Sequence, residues 1–384
     1  MSGGKLSLLT SGGTSHTIAR PGRASEPQWS HDGAWLAYVL APSASVPPVV
    51  HAVRADGTAD HILPGVQPSF AWSPTAEVLA FVGVGGAGLS VAPVDGTPTE
   101  LVKAGNGTID TFLWSPDGAA LAYGVRPSSS LTASDQLFSV SAEGGRFQRW
   151  AYKPSDSAGI VLAGWWPDGR GLLLWIDPDH SSSVAADGLP LVSVPVGAEK
   201  AMDLVTTLPY RPWLAWSPDG SRLLVVAGDD REPSVGKELA VCRPAAGSCA
   251  SLPGPPATVA LDPAWSTDGK HVAFVRAPTL SASGGSHDFT SWYPSRRLWV
   301  AAPDGSGARE VQGAGPGVAA PAWSLDGRTL LYSTAADIRS VPVTGGVSRR
   351  LAGPLTGGGG SDWANIGKQP WAGVAVWVPP LSPA

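Results

Sequence analysis

A tryptophan recurs eight times along this chain, each time at the end of a short apolar strand and mostly at the start of a tight turn. The eight positions are Trp29, Trp72, Trp114, Trp165, Trp216, Trp265, Trp323 and Trp363. The intervals between them are 43, 42, 51, 51, 49, 58 and 40 residues, which is the period of a four-stranded unit repeated radially. Because the repeat runs from end to end, it predicts one all-β domain over residues 1–384.

Each repeat is predicted to be a four-stranded antiparallel blade of a single closed β-propeller. In the third copy, TFLWS and ALAYGV predict two strands around PDG, and LFSVS and RFQRW predict two more around AEGG. Asp-Gly and Gly-Gly suit such hairpins because glycine accepts a positive φ. The repeated tryptophan is predicted to wedge between neighbouring blades. A shared role in stacking on ligands is the alternative.

The two ends of the chain predict how the ring closes. Residues 7–21 match residues 340–354, which are the outer strands of the last full repeat. We therefore expect residues 5–20 to form the outer hairpin of a closing blade and residues 363–379 its inner strands, which leaves no open sheet edge. This arrangement predicts eight blades. Seven blades are the alternative, if the degenerate Trp363 segment only pads the last one.

Composition and charge exclude several classes of protein. The formal net charge is −5, and no Lys/Arg cluster alternates with aromatic residues, so we expect no nucleic-acid partner. No apolar run reaches the roughly 18–20 residues that a membrane span needs. No charged-then-apolar leader opens the sequence, which indicates either a cytoplasmic protein or a mature form without its leader. No phosphate-binding glycine loop is present, and no cofactor is expected. One closed domain favours a monomer.

The two cysteines bear on the compartment. Cys242 and Cys249 flank a predicted hairpin turn, where they can face each other across the strand pair. A disulfide there favours an oxidising, extracytoplasmic location. The alternative is two unlinked small hydrophobic side chains.

The string P-x-W-S-P-D-G-x-x-L-A-Y/F resembles the TolB-type (WD40-like) propeller repeat. Its copies are carried by Pro27, Trp29, Ser30, Asp32 and Gly33, by Trp114 to Gly118, by Trp216 to Gly220, by Pro263, Trp265, Asp268 and Gly269, and by Pro321, Trp323, Asp326 and Gly327. The resemblance implies a propeller that acts as a binding scaffold, as TolB does in the bacterial envelope. The G-x-S-x-G nucleophile elbow of related propeller peptidases does not occur in the sequence.

Loop lengths and polar residues predict where a ligand binds. The loops at 126–136, 177–190, 229–237 and 277–297 are long and are predicted to share one face, the long-loop face. The inner strands begin at the same face, and they carry the candidate catalytic residues Glu26, Asp110, Asp262 and Arg211. A solvated polar tunnel is the alternative. Aromatic residues beside arginine in the longest loop indicate an interface or a carbohydrate-stacking patch, and the alternative is a loop folded over its own blade. The candidate ligand-binding residues are Arg211, Trp213, Asp262, His287, Trp292, Tyr293 and Arg296.

Metal binding is not expected. The seven histidines are scattered, and the only compact acid–histidine group is Asp177, Asp179 and His180. Without a second converging element, this group does not predict a metal site. The sequence therefore favours a non-catalytic scaffold that binds a protein or glycan partner at the long-loop face. The alternative is a lyase or hydrolase of a polar or carbohydrate substrate.

Overall fold

The computed structural model describes residues 6–9, 15–18, 20–103, 105, 107–128, 133–155, 157–178, 180, 188–252, 254–280 and 289–353. Within these residues there are seven four-stranded antiparallel sheets, each with its strands in sequence order, and one two-stranded sheet. This agrees with the predicted all-β class and with its seven-bladed alternative. The described residues up to 180 and 194–201 form one compact unit, and 188–193 and 202–353 form another.

The strands follow the repeat. The two-stranded sheet contains β1 (Leu6–Leu9) and β2 (Ser15–Ile18). The first three blades are β3 (Arg23–Trp29), β4 (Trp35–Ala41), β5 (Val49–Arg54) and β6 (His61–Ile62); β7 (Phe70–Trp72), β8 (Val78–Val82), β9 (Gly88–Pro93) and β10 (Thr99–Lys103); and β11 (Gly107–Trp114), β12 (Ala120–Pro127), β13 (Gln136–Ser141) and β14 (Phe147–Arg149).

The remaining four blades follow the same plan. They are β15 (Gly159–Trp165), β16 (Gly171–Asp177), β17 (Leu189–Pro195) and β18 (Met202–Thr207); β19 (Leu214–Trp216), β20 (Leu223–Ala227), β21 (Glu238–Arg243) and β22 (Ser248–Leu252); β23 (Thr258–Trp265), β24 (Val272–Pro278), β25 (Arg297–Ala301) and β26 (Arg309–Glu310); and β27 (Ala319–Trp323), β28 (Thr329–Ser333), β29 (Ile338–Pro342) and β30 (Arg349–Ala352). The helical elements among the described residues are short. They are 3-10 turns at Val84–Gly86, Arg211–Trp213, Pro244–Ala246 and Tyr293–Ser295, and a one-turn α-helix at Phe289–Trp292. No helix in the described ranges is long and apolar enough to cross a membrane.

The W-S-P-D-G turns are held by their own side chains. In the copy at Trp216, the Ser217 hydroxyl donates to Asp219 at 2.5 Å and accepts the amide of Arg222 at 3.0 Å. Asp219 also accepts the amide of Ser221 at 3.1 Å, and the hydrogen bonds of Ser217 and Ser221 lower the pKa of Asp219 to about 2. The same serine–aspartate bond recurs at 2.6 Å in the turns of Ser30, Ser115, Ser266 and Ser324. The motif is therefore a self-contained hairpin turn.

The repeated tryptophans pack between successive blades, as predicted. In five of the copies, the indole nitrogen donates to a backbone carbonyl of the preceding blade's first strand, at 2.8–3.3 Å. The pairs are Trp72 with Gln28, Trp114 with Ala71, Trp165 with Leu113, Trp265 with Ala215 and Trp323 with Ala264. A buried indole N–H needs an acceptor, so the repeat supplies an apolar wedge and its hydrogen-bond partner together.

The N-terminal strands form an antiparallel hairpin, with Leu6 opposite Ile18 and Leu8 opposite His16. One face of this hairpin packs against the first blade in an apolar cluster that contains Leu36, Tyr38 and Leu40. The predicted partner of the hairpin, residues 363–379, lies outside the described residues. The closing blade that these two segments would share stays a prediction.

The cysteines face each other on neighbouring strands. Cys242 on β21 is directly opposite Cys249 on β22, and the two are joined by a disulfide. This is the hairpin geometry that the sequence predicts.

Thiol titration tests the disulfide. The bond closes a short loop, so its removal should lower the free energy of unfolding by at most about 2–3 kcal/mol. Unfolded protein that has not been reduced should show no reactive thiol, and the same sample after reduction should show both. Two reactive thiols before reduction would contradict the bond.

Candidate functional site

The predicted acidic residues lie at β-bulges of the inner strands. In β3 the register shifts between Ser25 and Gln28, and in β23 it shifts between Leu261 and Ala264. Glu26 and Asp262 occupy these bulges with φ of 51° and 50°, and each is followed by proline. A bulge leaves its extra residue outside the strand ladder and redirects the side chain. The position of these carboxylates is therefore set by bulges within the inner strands, and not by the starts of those strands as the sequence indicated.

Asp262 is the buried member of this group, with 6% of its surface exposed. One carboxylate oxygen accepts the indole N–H of Trp213 at 3.0 Å, and the other accepts the backbone N–H of Ala320 at 3.1 Å. Trp213 directly precedes β19, and Ala320 lies at the corresponding bulge of β27 with a φ of 47°. The single carboxylate therefore connects the fifth, sixth and seventh blades, all within the second unit.

Arg296 provides the charge near Asp262. Its side chain is buried, and burial lowers its pKa while the Asp262 charge raises it. Burial raises the pKa of Asp262, because it disfavours the charged carboxylate, and the charge of Arg296 opposes that rise. The guanidinium carbon also lies 4.8 Å from the ring centre of Tyr293 and 5.9 Å from that of Trp292. Arg296 therefore joins the buried carboxylate to the aromatic residues of the longest loop.

Trp292 corrects one expectation from the sequence. It is 3% exposed, and its indole N–H donates to the carbonyl of Pro278 at 2.8 Å. It is therefore not the exposed aromatic that the loop composition indicated, because its segment folds back over its own blade. Tyr293 is half-buried and meets Trp292 edge-on with ring centres 5.7 Å apart. Burial raises the pKa of Tyr293.

The remaining predicted residues divide between the two units. Arg211 is exposed and lies two residues before the buried Trp213. The ring of Tyr210 meets that of Trp213 edge-on, with ring centres 5.6 Å apart. Glu26 and Asp110 belong to the first unit and are both exposed, and Asp110 forms an ion pair with Arg126 at 3.3 Å. His287 lies outside the described residues. The residues that the structure brings together are Trp213, Asp262, Trp292, Tyr293 and Arg296.

The second unit also contains a buried lysine, Lys237, which no motif in the sequence indicates. The Lys237 ammonium donates to the carbonyls of Asp230 at 2.5 Å and Val235 at 3.4 Å, and so ties the 229–237 loop to itself. The backbone carbonyl of Ser234, in the same loop, accepts the amide N–H of Leu280 at 3.0 Å. Burial lowers the pKa of Lys237 to about 8, although the nearby acidic residues raise it.

Alkaline stability measurements test this lysine. Between about pH 8, near its folded-state pKa, and pH 10.5, its ordinary pKa, the unfolded chain binds a proton that the folded chain has lost. The free energy of unfolding therefore gains a term that rises with pH in this window. Lys237→Met should remove that rise in urea unfolding at successive pH values, whereas Met at the exposed Lys270 should keep it. Equal slopes for both variants would contradict the shifted pKa.

The first unit contains an acid–histidine pair that differs from the predicted group. His180 lies 3.7 Å from Asp135 (Nε2 to Oδ1), and Asp179 is outside the described residues. The other oxygen of Asp135 accepts the amide of Ile160 at 2.9 Å. A side chain at Gly159 would meet the imidazole, since an added Cβ would lie 2.8 Å from Nδ1. Burial raises the pKa of Asp135. Among the described residues, no group of three or more His, Cys, Asp or Glu could hold a metal ion.

Comparison with solved structures shows the fold. A prolyl endopeptidase aligns with 85% of this chain and 49% of its own, at 15% identity and a TM-score of 0.53. An oligogalacturonate lyase in complex with manganese aligns with 90% of this chain and 94% of its own, at 13% identity and a TM-score of 0.52. The chain is a β-propeller. The propeller thus spans about half the length of the prolyl endopeptidase.

A putative TolB from Agrobacterium tumefaciens is also similar to this propeller. It aligns with 84% of this chain and 93% of its own, at 16% identity and a TM-score of 0.40. The seven four-stranded sheets confirm the propeller fold that the TolB-type repeat implies. No family model and no curated protein sequence matches the chain.

Proposed function

We propose that this propeller is a non-catalytic binding module that recognises a protein or glycan partner through the loops of its second unit. The surface that we assign to the partner, the recognition surface, consists of Tyr210, Arg211, Glu232 and Tyr293. These residues are exposed or half-buried. Tyrosine and arginine are the residue types that most often anchor a partner, because each buries a large surface and also offers hydrogen bonds.

The engagement of Asp262 is the observation that carries this proposal. Both carboxylate oxygens accept protein N–H groups, and a buried arginine supplies the neighbouring charge. A general acid or base needs a carboxylate that reaches the proton it transfers. The Asp262 carboxylate instead joins three blades, and its neighbours Trp213 and Arg296 contact Tyr210 and Tyr293 of the recognition surface. Rigid elements that support adaptable loops are the usual architecture of a binding face.

The short turns at the other end of the blades offer less to a partner. In each complete copy of the W-S-P-D-G turn, the serine and aspartate side chains bond to each other and to the turn's own backbone. Their polar groups are already satisfied, and the same turn is repeated from blade to blade. The disulfide between Cys242 and Cys249 supports an extracytoplasmic setting for the module, since such bonds persist in oxidising compartments.

A thermal-shift screen with soluble glycans and small metabolites tests the recognition surface. A ligand of this surface should raise the melting temperature of the wild type. The double substitution Arg211→Ala with Tyr293→Ala should weaken binding by about 1–3 kcal/mol for each anchor. The matched control is Lys270→Ala, at an exposed residue beside a short turn of the same unit. A ligand that stabilises the double variant as much as the wild type binds elsewhere and would contradict the assignment.

One observation favours an enzyme as the second candidate. Oδ1 of Asp135 and both ring nitrogens of His180 are buried and make no hydrogen bond within the described residues. A buried carboxylate beside an imidazole is a common acid–base arrangement. The lyase that aligns with this chain makes oligogalacturonate a first substrate to assay. Turnover that is lost in both Asp135→Asn and His180→Gln, with unchanged melting temperatures, would favour this reading over the scaffold.

A further inference from the structure

Arg276 is a buried cation in the middle of the sixth blade. It lies on β24, and 8% of its surface is exposed. Its Nε is buried without a hydrogen-bond partner within the described residues. Its guanidinium carbon lies 4.4 Å from the ring centre of Trp299 and 5.0 Å from that of Phe274. The aromatic rings hold the planar group in place and attract its charge, but they satisfy none of its N–H donors.

The residue opposite Arg276 makes its environment more positive. In the strand pairing of β24 with β25, Arg276 faces Arg297. Like charges at directly opposed positions of a sheet destabilise the pair. Arg297 is itself engaged, because its Nη1 donates to the carbonyls of Pro294 and Arg296 at 2.6 and 3.0 Å, and its Nε lies 4.0 Å from Glu310. The nearby carboxylate therefore belongs to Arg297 and not to Arg276.

The backbone at Gly254 approaches the edge of the Arg276 guanidinium closely. Gly254 lies next to Nη2, and a Cβ added to this glycine would be 3.3 Å from that nitrogen. A larger side chain at 254 would press on the guanidinium. Glycine at this position therefore allows the backbone to lie beside the nitrogen without a side chain covering it.

The burial of Arg276 opposite Arg297 does not favour folding. A buried charge without an opposite charge costs free energy, and an apolar side chain of similar size would avoid that cost. Burial also lowers the pKa of Arg276, and no carboxylate among the described residues raises it. A buried charged residue that no protein contact compensates is expected at a functional site, where a ligand can supply the missing contact.

We propose that Arg276 is an oxyanion-binding residue, which takes the carboxylate or phosphoryl group of a ligand between the sixth blade and the Gly254 segment. A guanidinium can donate two parallel hydrogen bonds to either group. Such an anion would satisfy the buried Nε–H of Arg276 and offset the charge of the opposing Arg297. The site lies outside the recognition surface, and this proposal does not rest on that one.

Thermal unfolding with two simple anions tests the proposal. The wild-type chain is titrated with inorganic phosphate and, separately, with acetate, while chloride keeps the ionic strength constant. We expect a rise in melting temperature that saturates with one of these anions, since a ligand at 100 times its Kd shifts the unfolding equilibrium about a hundredfold. A response to acetate alone identifies a carboxylate ligand, and a response to phosphate alone identifies a phosphoryl ligand.

Three variants make the result specific. Arg276→Met should abolish the response and should unfold in chloride at the wild-type temperature or above. Arg276→Lys keeps a positive charge without the bidentate fork, and it should weaken the apparent affinity about tenfold. Met at the exposed Arg243 is the control and should leave the response unchanged. The proposal is overturned if neither anion stabilises the wild type, or if Arg276→Met responds as the wild type does. Neither result would bear on Arg211 or Tyr293.

Discussion

Replacing Asp262 with alanine should lower the free energy of unfolding by about 3–5 kcal/mol, because it removes one partner from a buried charged group. The substitution leaves the indole N–H of Trp213 and the amide N–H of Ala320 without their acceptor. It also leaves the buried Arg296 without the carboxylate that faces it. Each of these losses falls on a different element of the second unit, and the three blades should loosen together. Urea unfolding followed by tryptophan fluorescence measures the change.

The first unit offers a matched control for this substitution. Asp110 lies at a bulge of β11, where the register shifts between Ile109 and Thr111. Its carboxylate is exposed and pairs with the exposed Arg126. Asp110→Ala should therefore cost less than about 1 kcal/mol. Equal losses for the two variants would show that the bulge itself, and not the buried contacts of Asp262, determines stability.

Replacing Leu8 with aspartate should give the second large loss, of about 3 kcal/mol or more, since it places an unpaired charge in an apolar cluster. Leu8 is buried between the N-terminal hairpin and the first blade, where it shares a cluster with Leu36, Tyr38 and Val53. The hairpin should detach and leave that face of the blade open to aggregation. The matched control is Ser7→Asp, since Ser7 is the next residue on the same strand and is exposed.

The hairpin test separates two roles for the N-terminus. If Leu8→Asp lowers stability and Ser7→Asp does not, the hairpin is part of the folded core. If both variants unfold like the wild type, the hairpin adds nothing to stability, and the predicted closing blade with residues 363–379 loses its basis. Thermal unfolding with light scattering reports both stability and aggregation.

The repeat could be predicted from sequence because its chemistry is local. Ser217 and Asp219 bond within one turn, and the Trp265 indole reaches a carbonyl one repeat away. Such contacts recur at each copy, so the string W-S-P-D-G carries the information for the turn and for the wedge. The number of blades depends instead on the degenerate Trp363 copy. The described residues match the seven-bladed alternative, and the pairing of that copy stays untested.

Only part of the candidate site could be predicted from the sequence, because the contacts of the site join segments that are far apart along the chain. Asp262 was singled out as an acidic residue near a strand start, but its partners Trp213 and Ala320 are 49 and 58 residues away. The bulges that redirect these side chains have no signature beyond the proline that follows. Arg276 and Lys237 were missed for a related reason. Their burial depends on strand register and loop closure, which residue type does not reveal.

The most direct test of the recognition surface is site-specific photo-cross-linking in the cells that make the protein. A photo-reactive amino acid is placed at exposed position 211 and, in a separate variant, at exposed position 270 beside a short turn of the same unit. We predict discrete cross-linked products from position 211 that decrease when Tyr293 is also replaced by alanine, and no such products from position 270. Cross-links from position 270 and none from position 211 would contradict the assignment of the partner to the loops of the second unit.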